Sequence, residues 1–346
     1  MSLTTLEWRD NAIRIIDQTC LPRKLVYLEI RNIKGLSQAI KELKVRGAPA
    51  LCAASSLGVY LGIKNSPAKN FTQFKNELDK VIAYLGSSRP TARNLFWGLE
   101  QARQAALANQ DKPVSRIKEL ILQKALEIIK IDQQSCREIG KYGAELIKDG
   151  DTILTVCNAG ILATIDYGTA LGVIYSAKAQ GKKIKVFACE TRPLLQGARL
   201  TAWELLKNGV DTALICDNTA GFLMRQGRIN CVIAGADRIA ANGDAANKIG
   251  TLGLAILSQY HKIPFYIAAP ASTFDLNIKS GKEIIIEQRS REEVVSLFSR
   301  QPIAPEGVKV YNPAFDVTVH ELISAIITDK GVLRPPYQEN IKRLIQ

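Results

Sequence analysis

The chain has 346 residues, 47% apolar and 23% charged, with a formal net charge of +13, the composition of a globular protein of about two domains. No apolar run approaches the ~20 residues of a membrane span, no signal-peptide pattern opens the chain, and the seven cysteines form no Cys-x-x-Cys pair; a membrane partner, a zinc centre and a disulfide framework are excluded, and a reducing cytoplasm is the expected location. Basic residues are scattered and only 6% of residues are aromatic, so nucleic acid is not an expected partner, whereas a field that attracts phosphorylated small molecules accounts for the charge.

Through most of the first 150 residues, apolar positions recur at helical spacing: from Gly35 onward, over 71–85, over 91–108 and over 114–147. Irregularities are expected in the last of these around Asp132 and Gly140. Two of the helical stretches open on an arginine beside glycine or proline. Arg46-Gly47-Ala48-Pro49 precedes a helix over 50–60, and Arg89-Pro90-Thr91 opens another. A guanidinium beside flexible backbone at a helix start suits an anion.

Near residue 150 the pattern changes. Short apolar runs at 152–156, 184–188, 212–216, 231–234 and 265–268 alternate with helical stretches at 163–179, 194–208, 219–226 and 247–260. Nearly continuous apolar strands separated by helices predict a parallel sheet covered on both faces. The expected fold is therefore α/β. A Rossmann-like parallel-sheet domain over 131–346 follows a smaller, mainly helical domain over 1–130.

Right-handed crossovers put the carboxyl ends of such strands on one edge, where open sheets bind their ligands. Five polar clusters fall there: Cys157-Asn158-Ala159-Gly160, Glu190-Thr191-Arg192-Pro193, Asp217-Asn218-Thr219, Asp237-Arg238 and Pro270-Ala271-Ser272-Thr273. Asp237 either caps a turn or serves as a partly desolvated carboxyl that donates as well as accepts a proton. Cys157 is either a small buried hydrophobe or a thiol made more acidic by nearby amides and cations. Asp237 on the same edge favours the second reading. Asn247-Lys248 is read as the start of a further helix, its dipole and a lysine acting together on an anion.

The remaining groups exclude several chemistries. Cys189, Cys216 and Cys231 border apolar strands and read as small buried hydrophobes. The only histidines are His261, after a helix, and His320, within the apolar stretch 317–323. Metal-ligand spacing, a phosphate-binding Gly-Lys-Ser/Thr loop and a dinucleotide fingerprint are all absent, so neither metal nor cofactor is expected.

Taken in order, Arg46-Gly47-Ala48-Pro49-Ala50, Ser88-Arg89-Pro90-Thr91-Ala92, Cys157-Asn158-Ala159-Gly160, the block from Glu190 to Thr201, Asp217-Asn218-Thr219-Ala220, Gly235-Ala236-Asp237-Arg238-Ile239 and Asn247-Lys248-Ile249-Gly250-Thr251 resemble the methylthioribose-1-phosphate isomerases of methionine salvage. Ribose-1,5-bisphosphate isomerases and the regulatory subunits of the eukaryotic translation-initiation exchange complex are related to that family. The resemblance spans roughly residues 8–335, with one departure: Val156 precedes Cys157 where many members carry a histidine.

What the resemblance implies is a cofactor-free and metal-free aldose–ketose conversion, 5-methylthioribose 1-phosphate to 5-methylthioribulose 1-phosphate, in a cytoplasmic homodimer. Cys157 and Asp237 are its implied catalytic pair. Arg46, Gly47, Ala48, Arg89, Gln196, Asn247 and Lys248 are its implied substrate contacts. Two alternatives are an isomerase of another 1-phosphorylated pentose, ribose 1,5-bisphosphate or 5-deoxyribose 1-phosphate, and a non-catalytic subunit that senses a sugar phosphate. Retention of Cys157 and Asp237 argues against the last.

Overall fold

A computed structural model describes residues 3–90, 92–296 and 301–345. The chain forms two compact units, Met1–Gln134 with Ile161–Gly168, and Ser135–Gly160 with Thr169–Gln346.

The first unit begins with an antiparallel sheet of β1 (Leu6–Arg9), β2 (Ala12–Ile16) and β3 (Tyr27–Ile30). Asp10 and Asn11 both take positive φ and join β1 to β2 in a two-residue turn, the mirror-image turn whose twist matches that of the flanking strands. Helices α1 (Ile33–Lys41), α2 (Ala48–Ile63), α3 (Phe71–Gly86) and α4 (Arg93–Leu107) follow. The side chain of Asn32 accepts from Gly35 N–H at 2.9 Å and that of Asn70 from Gln73 N–H at 2.9 Å. Those bonds satisfy donors that the first helical turn leaves open and so set where α1 and α3 begin. Helix α2 is apolar nearly all round and buried, with Leu51, Ala53, Ala54 and Leu57 in the core. Helix α4 approaches it so closely that a Cβ on Gly98 would lie 2.3 Å from Cys52 O. The hydroxyls of Ser55 and Ser56 donate to the carbonyls of Leu95 and Gly98, each at 2.9 Å.

Helix α5 (Val114–Ala144) runs without a break, so the irregularities expected at Asp132 and Gly140 do not occur. No proline interrupts it, and its two glycines, Gly140 and Gly143, cost only about 1 kcal/mol each, which burial of Ile117, Ile121, Ile128 and Ile139 on one stripe outweighs.

The second unit is built on a seven-stranded sheet. Its strands are β4 (Thr152–Thr155), β5 (Lys185–Cys189), β6 (Asp211–Ile215), β7 (Cys231–Ala234), β10 (Phe265–Ala268), β13 (Ala325–Thr328) and β14 (Gly331–Leu333). The spatial order is β14-β13-β10-β7-β4-β5-β6, with every pairing parallel except β13–β14. Helices α6 (Ala170–Ala179), α7 (Ala202–Lys207), α8 (Ala220–Arg225) and α9 (Thr251–Tyr260) make the crossovers. Strands β7, β10 and β13 are buried along their whole length, whereas β6 at the sheet edge is largely exposed. The predicted α/β class and its parallel sheet are thus the observed ones.

A smaller sheet of order β11-β8-β9-β12 adds β8 (Arg238–Ala240), β9 (Ala245–Lys248), β11 (Phe274–Asp275) and β12 (Phe315–Thr318). Two helices complete the set, the short α10 (Glu292–Val295) and the terminal α11 (Tyr337–Ile345). Asn247 and Lys248 therefore end a strand instead of opening a helix, which starts only at Thr251. The alanine-rich β9 has little strand propensity of its own and is held by pairing with β8 and β12.

Candidate active site

The chain enters the large sheet at β4 in its middle, adds β5 and β6 on one side, then crosses to add β7 on the other. The strand order reverses between β4 and β7, and loops diverge there to leave a crevice. Thr155 on β4 is paired with Ile233 on β7, and its hydroxyl donates to Ile233 O at 2.8 Å. Two residues past Thr155 comes Cys157; four past Ile233 comes Asp237. Both are half-buried. Close packing of the two loops is required by Gly235, where a Cβ would meet Ala159 Cβ at 2.8 Å.

Cys157 takes a left-handed backbone, φ +63°, uncommon for a residue with a side chain. Its peptide is held on both sides. The N–H donates to Thr191 Oγ1 at 2.8 Å, and the carbonyl accepts from Thr201 Oγ1 at 2.6 Å. Asn158 is buried and donates to Thr201 Oγ1 at 3.2 Å and to Glu204 Oε1 at 2.6 Å.

The block from Glu190 to Thr201 folds back over the end of β5. Asp217 accepts the N–H groups of Thr191 and Arg192 on its two oxygens, both at 2.7 Å. Gly197 presses onto Cys189, since a Cβ there would lie 1.7 Å from Cys189 O. A π-helical turn over Gly197–Thr201 then leads into α7. Gln196, immediately before that turn, is 5% exposed, and its Oε1 has no hydrogen-bond partner among the described residues.

On the other side of the crevice, Asp237 N–H donates to Ala246 O at 2.8 Å. The hairpin register Arg238↔Ala246, continued by one residue, sets Asp237 against Asn247. Lys248 is buried beside it, its ammonium 4.9 Å from the Phe315 ring centroid. Asn247 Nδ2 donates to Thr251 Oγ1 at 3.0 Å, which donates to Lys248 O at 2.6 Å. Asp316 accepts from Gly250 N–H at 2.7 Å and Leu252 N–H at 3.1 Å and so caps α9. Burial holds the Asp316 carboxyl above its ordinary range, partly offset by those two N–H groups and by Lys248.

Cys157, Gln196, Asp237, Asn247 and Lys248 thus lie on one edge of the second unit. The other predicted contacts belong to the first. Arg46 is buried ahead of Gly47, whose φ of +94° and distance of 2.3 Å from a would-be Cβ to Ala163 O admit only glycine. Ala48 is the first residue of α2, and Arg89 is half-buried between α3 and α4. Thr91 lies outside the described residues.

Other reactive groups are engaged elsewhere. Burial pushes the thiol of Cys189 up to about 12 and those of Cys52 and Cys231 higher. Cys216 departs from its predicted burial: it is exposed, because it follows an edge strand. His261 ends α9, and His320 Nδ1 lies 2.8 Å from Asp244 Oδ1. Burial acts against the Asp244 carboxylate, but hydrogen bonds from Asn242, Gly281 and His320 outweigh it and hold its pKa low. Glu204 takes part in the Cys157 network although it lies outside the predicted clusters. Its signal in sequence is a lone acid in the apolar segment Ala202-Trp203-Glu204-Leu205-Leu206.

Residues 44–335 match the sequence profile of the Initiation factor 2 subunit family. The 5-deoxyribose 1-phosphate isomerase of Moorella thermoacetica is 54% identical over 99% of this chain and 97% of its own length. The methylthioribose-1-phosphate isomerase of Thermosipho africanus is 53% identical over 99% of this chain and 98% of its own. Among solved structures, 5-methylthioribose 1-phosphate isomerase from Pyrococcus horikoshii OT3 superposes with a TM-score of 0.91 at 44% identity, covering 99% of this chain and 95% of that one. A structure described as translation initiation factor eIF-2B, subunit delta, from A. fulgidus gives 0.88 at 48% identity, covering 99% of each chain.

Proposed function

The chain belongs to the Initiation factor 2 subunit family, and on that premise we propose that it is an aldose–ketose isomerase converting 5-methylthioribose 1-phosphate to 5-methylthioribulose 1-phosphate. The reaction is a step of methionine salvage. The observation that carries the reading of the site is the reversal of strand order between β4 and β7, which sets the loops bearing Cys157 and Asp237 side by side.

Phosphate on the anomeric carbon blocks ordinary ring opening to a free aldehyde. A proton must reach the ring oxygen, and Asp237 is the acid in this reading. Hydrogen then moves from C2 to C1, and as the C2 carbonyl forms the C2 hydroxyl gives up its proton, which restores the acid. A Cys157 thiolate either removes the C2 hydrogen as a proton and returns it to C1, or orients the sugar while it migrates as hydride. Within the second unit, Lys248, Asn247 and Gln196 are the groups read as holding the sugar phosphate. Exclusion of water suppresses loss of phosphate. Neither metal nor cofactor enters the reading. No described helix is long and apolar enough to cross a membrane; the proposed setting is a cytoplasmic homodimer without a nucleic-acid partner.

A second substrate, 5-deoxyribose 1-phosphate, is favoured by the 54% identical Moorella relative. Incubation with each sugar in D2O, followed by NMR of the product, decides among the readings. Turnover of 5-methylthioribose 1-phosphate at the higher kcat/KM is the expected result. Solvent deuterium at C1 assigns the proton route. Failure to convert either sugar leaves ribose 1,5-bisphosphate as substrate, or a non-catalytic subunit that senses a sugar phosphate.

A further inference from the structure

We propose that Glu204 is a positioning residue for this isomerisation, acting through Asn158 and Thr201 on the peptide of Cys157; the proposal rests on Cys157 belonging to the site. Glu204 lies on α7 and is 1% exposed. A carboxylate so far from water is retained only where it is paired or hydrogen-bonded. Its Oε1 accepts from Asn158 Nδ2 at 2.6 Å. The backbone is shaped around it: a Cβ on Gly160 would lie 1.7 Å from Glu204 Oε1 and 2.5 Å from its Cδ.

From Glu204 the contacts lead directly to the thiol's backbone. Because Glu204 Oε1 accepts from it, the Asn158 amide turns its donors toward α7. That amide also donates to Thr201 Oγ1, which leaves the Thr201 proton directed at Cys157 O, 2.6 Å away. Thr191 grips the opposite side of the same residue through its N–H. With φ at +63°, Cys157 adopts a conformation that an unrestrained loop would leave, and such geometry persists only where neighbours over-determine it. Glu204 supports the Thr201 restraint without touching substrate, and its effect belongs on the chemical step instead of on binding.

The test compares purified full-length Glu204→Ala, Glu204→Gln and Thr201→Val. It reads kcat and KM on 5-methylthioribose 1-phosphate, and iodoacetamide alkylation of Cys157 resolved by peptide mass spectrometry. Misplacement of a reacting group by about 1 Å costs roughly 100-fold, so Glu204→Ala is expected to lose roughly 10- to 100-fold in kcat with KM within threefold. Its Cys157 alkylation rate shifts several-fold while those of Cys20 and Cys216 hold. Glu204→Gln keeps an acceptor of the same shape and recovers most of that loss. Thr201→Val severs the link without altering volume and serves if Glu204→Ala does not fold; it is expected to behave as Glu204→Ala does. Unchanged kcat and unchanged Cys157 alkylation in a folded variant overturn the proposal. Should Cys157→Ala itself turn over normally, the site reading fails separately, and the alkylation rates still decide whether Glu204 positions the loop.

Discussion

At the scale of single residues, Cys157 and Asp237 take their places from backbone pairing. The first follows β4 on a left-handed residue, and the second is pinned by its own N–H to Ala246. Side-chain substitution at either position therefore leaves the loops in place. Cys157→Ser and Asp237→Asn are expected to lose at least roughly 1,000-fold in kcat, the scale of a lost acid–base group combined with lost orientation, with an unchanged melting temperature. Normal turnover by Asp237→Asn would remove it as the acid. Lys248 carries its charge on a buried stem over Phe315. Lys248→Ala is expected to raise KM roughly tenfold or more with a smaller effect on kcat; steady-state kinetics that leave KM unmoved exclude a phosphate contact.

Elements show which physical signals reach the sequence and which do not. The runs at 231–234 and 265–268 coincide with β7 and β10 residue for residue, because a strand buried on both faces must be apolar throughout. The small strands β8, β9 and β11 are alanine-rich or only two to four residues long; their stability lies in partners distant in the chain, which a local pattern does not register. For the same reason Asn247 and Lys248 were legible as polar site candidates but not as residues of a strand. The β1–β2 turn left a fainter trace in Asp10-Asn11. Contact between α2 and α4 yields a prediction at this scale. Alanine at Gly98 improves helix propensity by about 1 kcal/mol, but its methyl meets a backbone oxygen at 2.3 Å. Overpacking against backbone costs about 1–3 kcal/mol, so Gly98→Ala is expected to lower the melting temperature; an increase would show that α4 shifts freely.

At the scale of the whole molecule, the Asp132 carboxyl ties folding to pH. Asp132 accepts from Ile165 N–H at 3.0 Å, yet burial, reinforced by Asp166, pushes its carboxyl up to about 7. Between the ordinary value of 3.8 and about 7, the folded chain holds a proton that the unfolded chain has released, so stability falls as pH rises through that window. Melting curves at pH 5 and pH 8 are expected to show the loss, and Asp132→Asn, which keeps the acceptor for Ile165, is expected to shrink it. An undiminished difference in Asp132→Asn would assign the effect to other groups.

That bond also belongs to a segment, Ile161–Gly168, that the first unit takes from far along the chain. Thr5 N–H donates to Ile165 O at 2.8 Å, Thr5 Oγ1 to Ile161 O at 2.6 Å, and Gln18 Nε2 to Leu162 O at 2.7 Å. A polypeptide stopped at Gln134 would emerge from the ribosome with Thr5, Gln18 and Asp132 all waiting for acceptors and donors not yet translated. Limited proteolysis of that truncated product is expected to find it loose, and a peptide spanning 161–168 added in trans to tighten it.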